Sequence, residues 1–167
     1  TFQDLRLILQ VSLLENILLG HPRQKGERLL SAILRFGVEQ EESRNREEAL
    51  RLLQYVGLDK MASELAGELS YGQQKLLTLA CCLATEAKVL LLDEPVSGVH
   101  PEMASQILSL LRRLRREGKV IIFIEHDISA VREVGDHVIV MDEGKVIAEG
   151  PPHDVLERPE IMEAYLA

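Results

Sequence analysis

The chain has few aromatic residues and few cysteines. Tryptophan is absent, and aromatic residues make up only 4% of the 167 residues. The two cysteines, Cys81 and Cys82, are adjacent, so they lack the spacing of a zinc site and do not suit a disulfide with each other. We expect two free thiols, as in a reducing cytosol. Charged residues interrupt the apolar runs, and none is long enough to span a bilayer.

The chain also lacks an excess of basic residues. It has 19 Lys and Arg against 27 Asp and Glu, which gives a net charge of -8. A protein that binds a polyanion needs a basic face. The densest basic cluster, residues 112–116, lies in a helical pattern with buried leucines, which is typical of a solvated outer helix face. We therefore predict no nucleic-acid partner.

The chain contains a helical part followed by an α/β part. Residues 4–86 have helical periodicity and predict a helical subdomain. Residues 87–150 alternate between strand and helix patterns and predict a sheet-containing core. Residues 151–167 predict two short C-terminal helices.

Two short apolar runs in the second part predict a parallel sheet. Val89–Leu92 and Val120–Ile124 are continuously apolar, as strands are when helices cover both faces of a sheet. The helix between them is predicted to begin at Pro101 and to end before Gly118. Residues 142–144 carry the Glu-Gly turn signal of a β-hairpin.

The segment Ser70-Tyr71-Gly72-Gln73 precedes an apolar helix. A serine three residues before a glutamine is the pattern of a capping box, which many helices have without binding a ligand. The same geometry also suits an anion site, because it leaves a hydroxyl and free N–H groups at the positive end of a helix. Gly72 would then let a phosphate approach the backbone.

Two acids follow the first strand, and Pro95 stops that strand from continuing. The carboxyl ends of parallel strands are where ligands bind in open α/β sheets. Asp93 suits Mg²⁺, and Glu94 suits activation of a water that attacks a phosphate. The other interpretation is a solvated strand end with an ordinary acidic turn.

His126 follows the second strand. Because neighbouring parallel strands end at the same edge of a sheet, we expect His126 to lie close to Asp93 and Glu94. A neutral imidazole there can donate a hydrogen bond to a phosphate. A single histidine after a strand is otherwise an ordinary loop residue.

In this order and spacing, the three segments resemble the signature loop, the Walker B segment and the switch histidine of ABC ATPases. Phe2-Gln3 is similar to the Q-loop of that family. The resemblance implies an α/β fold, specifically an incomplete ABC ATPase domain of the phosphate-loop NTPase type with a parallel core sheet and a helical subdomain. It also implies ATP and Mg²⁺ as cofactors.

The resemblance implies roles for these residues. Glu94 would be the catalytic base, His126 and Gln3 would act with it, and Asp93 and Gln3 would contact Mg²⁺. Residues 70–73 would contact a nucleotide held by a second ATPase subunit, in a homodimer or a heterodimer. Transmembrane permease subunits are the other implied partners, and they place the protein in the cytoplasm, peripheral on the inner face of the plasma membrane.

Within the family, the chain looks most like the ATPases of branched-chain amino acid uptake. The segments that carry this narrower resemblance are Thr1-Phe2-Gln3, Leu14–Ile17 and Pro159–Leu166. Importers of urea or other amides and lipopolysaccharide exporters share much of it, so another transported substrate stays open.

The chain departs from the family pattern in three places. Tyr71 replaces a glycine of the signature loop, and His100 stands where the D-loop usually has Asp or Asn. The chain has no G-x-x-x-x-G-K-[ST] phosphate loop. We expect that loop to belong upstream of Thr1, and we expect this chain alone to bind ATP weakly or not at all and not to hydrolyse it.

One further expectation concerns association between copies of the chain. A sheet edge or core face left open would make the chain self-associate.

Two other function classes also stay open. One is a truncated, non-catalytic ABC-like protein that only binds partners. The other is a soluble ABC protein of DNA repair or chromosome maintenance, which would be expected to carry zinc-type cysteine pairs or long heptad arms, and the sequence has neither.

Overall fold

The computed structural model describes residues 7–21 and 38–159, together with Ile161 and Glu163. Its helices are α1 (Leu13–Leu19), α2 (Val38–Val56), α3 (Tyr71–Ala84), α4 (Pro101–Arg116), α5 (Ile128–Val134) and α6 (Pro152–Val155). Its strands are β1 (Val89–Asp93), β2 (Val120–Ile124), β3 (Val138–Asp142) and β4 (Lys145–Gly150). The proposed Q-loop residues Phe2 and Gln3 lie outside the described residues.

The first part of the described chain is helical, as its periodicity predicts. Ser12 and Glu15 form a capping box that starts α1. The buried side chain of Asn16 accepts a hydrogen bond from the N–H of Ile8 at 2.9 Å and donates to its carbonyl at 3.0 Å, which fixes the segment that enters the helix. Helices α1, α2 and α3 pack on one another through fully buried residues, among them Leu13, Ile17, Leu53, Leu76 and Leu77.

One core joins the helical part to the β1–β2 sheet. Buried residues of α1, α2 and α3 belong to the same apolar cluster as Leu90 and Leu92 of β1 and the inner face of α4. A second, smaller core lies under the β3–β4 hairpin and α6. The domain boundaries near 86 and 150 stay a prediction.

The predicted parallel pair is present, with α4 as the connection. β1 and β2 pair in parallel from Val89 opposite Val120 to Asp93 opposite Ile124. Pro101 is the first residue of α4, as predicted, because its fixed φ suits a helix start and its missing N–H is not needed there. The helix ends at Arg116, and Gly118 follows with a φ of 88°.

The prediction that both faces of this sheet are buried is wrong for the described chain. Leu90 and Leu92 are 4% and 3% exposed, whereas Leu91, Ile122 and Ile124 are 61%, 57% and 66% exposed. Side chains alternate between the faces of a strand, so one face of the sheet packs in the core with α3 and α4 and the other faces outward. Among the described residues, no element covers that outer face.

The hairpin predicted at residues 142–144 is also present. β3 and β4 are antiparallel, with Asp142 opposite Lys145. Glu143 and Gly144 have φ values of 44° and 77°, and two positive φ values in a two-residue loop are the geometry of a type I′ turn. The next segment begins with α6, and Pro159, Ile161 and Glu163 are helical, in line with two short C-terminal helices.

Cys81 and Cys82 are free thiols, as expected. Burial raises the pKa of Cys81 to about 12, so that thiol stays protonated at neutral pH. In the described part of the chain, no helix is both long enough and apolar enough to cross a membrane.

Candidate functional site

The predicted capping box forms at the start of α3. Ser70 is the N-cap, its hydroxyl accepts from the N–H of Gln73 at 3.4 Å, and the Gln73 side chain accepts from the N–H of Ser70 at 2.9 Å. Ser70 and Tyr71 are exposed, so the positive end of a 14-residue helix faces outward at this point. The geometry suits an anion that approaches from outside the chain.

Gly72 is required here by packing between helices. It is buried, and a Cβ added to it would lie 2.5 Å from Cγ of Met103 on α4. The start of α3 therefore approaches α4 so closely that a Cβ here would have to displace the Met103 side chain. This contact is a structural reason for the glycine, and its role toward a phosphate stays a prediction.

Glu94 and His126 come together as the parallel strands predict. Asp93 is the last residue of β1, and the N–H of Glu94 donates to the carbonyl of Ile124 at 2.9 Å. Oε1 of Glu94 lies 3.3 Å from Nδ1 of His126. Glu94 has a φ of 46°, a left-handed conformation that costs about 1 kcal/mol or more in a residue other than glycine.

Two residues that the sequence analysis did not single out hold the loop after β1. Nζ of Lys75 donates to the carbonyls of Glu94 at 2.6 Å and Ser97 at 2.8 Å. Oε1 of Glu125 accepts from the N–H of Val96 at 2.9 Å. Burial lowers the pKa of Lys75, while the charges of Glu125 and Glu94 oppose that effect. The sequence signal for Lys75 is a lysine within the otherwise apolar stripe of α3.

Tyr71 lies beside Gly98, in the loop between β1 and α4. A Cβ on Gly98 would lie 3.4 Å from Cε1 of Tyr71, and Gly98 has a φ of 72°. The ammonium of Lys75 lies 5.2 Å from the centre of the Tyr71 ring, a cation–π distance. The bulky residue in the signature loop thus packs against the loop that follows the acid pair.

His100, the departure in the D-loop, is the N-cap of α4. Its Nδ1 accepts from the N–H of Glu102 at 3.4 Å, which is the bond that an Asp or Asn side chain usually provides. The substitution therefore keeps the local hydrogen-bonding role with a different acceptor atom.

The carboxylates at this site suit the binding of Mg²⁺ together with a nucleotide. In the described part of the chain, no group of three or more His, Cys, Asp or Glu residues could hold a metal ion. Mg²⁺ in phosphate sites usually has only one or two protein carboxylates and takes its other ligands from phosphates and water. Asp93, at the end of β1, is suited to that smaller contribution.

The sequence comparisons agree on one family. The family model described as ABC transporter matches residues 1–97 of this chain. The high-affinity branched-chain amino acid transport ATP-binding protein BraF of Pseudomonas aeruginosa is 33% identical over 168 residues, which cover 99% of this chain and 66% of BraF. The chain thus spans slightly less than two thirds of the length of this curated relative.

Solved structures have the same fold. The ADP conformation of an ATP-binding cassette from an ABC transporter superposes with a TM-score of 0.79 at 32% identity, over 100% of this chain and 67% of that one. A dimeric cassette in a post-hydrolysis state, bound to ADP and Pi, superposes with a TM-score of 0.70 at 26% identity, over 90% of this chain and 61% of that one.

Proposed function

The chain belongs to the ABC transporter family, and from that premise we propose that it is part of the ATP-binding and ATP-hydrolysing subunit of an ABC transporter. The observation that carries the proposal is the contact of 3.3 Å between Glu94 and His126 at the carboxyl edge of the β1–β2 sheet. A carboxylate and an imidazole at that edge can orient a water and contact a phosphate.

The chemistry of each residue supports a separate role in hydrolysis. Glu94 accepts a proton from the attacking water, and His126 donates to a phosphate oxygen. Asp93, together with Gln3, would hold Mg²⁺, which supplies positive charge to the phosphates when it is bound. Gln3 lies outside the described residues, so its role rests on the resemblance alone.

The start of α3 is proposed to act on a nucleotide held by a second ATPase subunit. Ser70 and Tyr71 at its start are exposed, while the Glu94–His126 pair lies at the edge of the sheet of the same chain. Residues 70–73 are therefore suited to contact phosphates that approach from a partner, and a dimeric ATP-binding cassette is among the similar structures. Membrane permeases would be the further partners, on the cytoplasmic face of the plasma membrane.

Branched-chain amino acids are the proposed transported substrate, or a similar small solute. The support is the name of the relative BraF, a branched-chain amino acid transport protein that matches over 99% of this chain. The site described above acts on nucleotide rather than on the transported solute, so it does not select the substrate.

A complementation experiment tests the proposed role of α3. BraF carrying a replaced signature serine is mixed with this chain and Mg-ATP, and phosphate release is measured. We expect the chain to restore release, because Ser70 would supply the missing contact, and we expect Ser70→Ala to lower it about 10-fold or more.

The matched control for this experiment is Ser12→Ala. Ser12 is also the N-cap of a capping box, at the start of α1, so its replacement removes a similar amount of helix stability. We expect this variant to restore phosphate release as well as the unchanged chain does. If the unchanged chain restores none, the proposed function is wrong.

A further inference from the structure

Lys75 is a charged residue in the interior of the fold. Its side chain is part of the buried face of α3, and the residue is only 4% exposed. Removing an ammonium group from water is costly unless the protein replaces the lost hydrogen bonds. Here the carbonyls of Glu94 and Ser97 replace two of them, at 2.6 Å and 2.8 Å. An apolar residue would fill this position in the core without that cost, so packing alone does not explain a lysine.

Glu125 holds the same loop from the other side. It follows β2 directly, and its Oε1 accepts the N–H of Val96 at 2.9 Å. Its Oε2 is buried and has no hydrogen-bond partner in the structure. The negative charge of Glu125 also acts favourably on the ammonium of Lys75. Two opposite charges, one on α3 and one directly after β2, therefore contact one loop of four residues, Glu94 to Ser97.

That loop contains the strained residue of the site. Glu94 has a φ of 46°, and a non-glycine residue keeps such a conformation only when its surroundings impose it. The hydrogen bond from Lys75 fixes the direction of the Glu94 carbonyl, and the bond from Glu94 N–H to Ile124 fixes its other end. With both ends of the residue held, the carboxylate is directed at His126.

We propose that Lys75 and Glu125 are positioning residues that hold the Glu94–Ser97 loop so that the Glu94 carboxylate faces His126. Both residues act through the backbone of this loop. Because Lys75 lies on the same helix as Ser70, a displacement of α3 would also move the Glu94 carbonyl. The inference rests on the proposed function, since the direction of Glu94 matters for catalysis only if Glu94 activates water.

The test observes His126 directly and needs no nucleotide. The chain has five histidines, whose ring proton signals are recorded by NMR, and His126→Asn assigns the signal of interest. Glu94→Gln shows how far the His126 signal moves when its partner carboxylate is changed. We expect Lys75→Met to move the His126 signal in the same direction by most of that amount, and to leave the signals of His21, His137 and His153 unchanged.

Lys119→Met is the matched control. Nζ of Lys119 also donates to a backbone carbonyl, that of Ala87 at 2.6 Å, but at the opposite end of the sheet. We expect this variant to leave the His126 signal in place. Lys75→Arg should restore most of the native signal, because a guanidinium can still donate to two carbonyls. If Lys75→Met is too unstable to fold, Lys75→Gln replaces it, since this shorter neutral donor cannot span both carbonyls.

The inference is overturned if Lys75→Met, or Lys75→Gln in its place, lowers stability but leaves the His126 signal at its native position. That result would make Lys75 a part of the core only. A failure of the complementation experiment would instead count against the proposed function and would not alter the NMR result, so the two failures can be told apart.

Discussion

At the scale of single residues, His100 shows how a departure from a family pattern can keep a local role. Its Nδ1 caps α4 by accepting the N–H of Glu102 at 3.4 Å, a long bond for this position. Carboxylate oxygens are better N-caps than an imidazole, and a negative charge also favours the positive end of the helix. The helix start is therefore kept within the chain, and any effect of the histidine is expected in contacts with a partner subunit.

We predict that His100→Asp raises the free energy of unfolding by about 0.5 kcal/mol, because the new cap is shorter and charged. Urea denaturation followed by circular dichroism measures the change. His100→Ala, which has no acceptor, should lower the same quantity and serves as the opposing control. Equal stability of all three proteins would show that the ring nitrogen contributes nothing to the helix.

The closeness of Glu94 and His126 was predictable from the sequence for a physical reason. Glu94 and His126 each follow an apolar strand, and parallel strands bring such positions to one edge. Sequence reasoning did not find Lys75 or Glu125, because their partners are backbone carbonyls and an N–H of a loop. Backbone groups are present at every position, so the sequence carries no pattern that identifies which of them a side chain will bind.

At the scale of elements, the close approach of α3 and α4 depends on Gly72. We predict that Gly72→Ala lowers the free energy of unfolding by about 1 kcal/mol. Overpacking against Met103 costs about 1–3 kcal/mol, and the better helix propensity of alanine returns up to about 1 kcal/mol of it. Denaturation midpoints of the two proteins, compared at equal slope, give the difference.

A double-mutant cycle identifies the cause of that loss. Met103→Ala removes the atoms that the new Cβ would meet, so Gly72→Ala should cost less in this background than in the native one. Additive effects of the two substitutions would mean that the clash is not the source of the destabilisation.

Element boundaries were predictable where the chain has local punctuation. Ser70 with Gln73, Pro101, and the Glu143-Gly144 turn each act through their own backbone geometry, and each marks the observed boundary. The burial of β1 and β2 was predicted wrongly for the opposite reason. A continuous apolar run shows that both faces of a strand suit burial, but what covers each face depends on elements elsewhere.

At the scale of the whole molecule, the outer face of the β1–β2 sheet is an apolar surface that no described element covers. Five apolar side chains on it are between 49% and 66% exposed, namely Val89, Leu91, Val120, Ile122 and Ile124. Contiguous exposed apolar surface of this kind favours association. We predict that the chain self-associates as its concentration rises, with light scattering as the measurement.

Substitutions on that face test the prediction. Leu91→Lys with Ile122→Lys should shift the chain toward the monomer, because a charged group is costly to bury in an apolar contact. Leu19→Lys is the control, since Leu19 is 63% exposed at the end of α1 and lies away from the sheet. A monomer at every concentration for the unchanged chain would refute the prediction.

The separation of the two apolar cores has a consequence for how the molecule opens. The larger core extends from α1 to α5, whereas the hairpin and α6 rest on a small cluster whose members include Val140, Ala148 and Val155. Units with separate cores can unfold separately, and the one with less buried apolar surface opens at the lower free energy. Amide protons of β3 and β4 should therefore exchange with solvent before those of α3, so that the last part of the chain detaches while the acid pair and the capped helix keep their native arrangement.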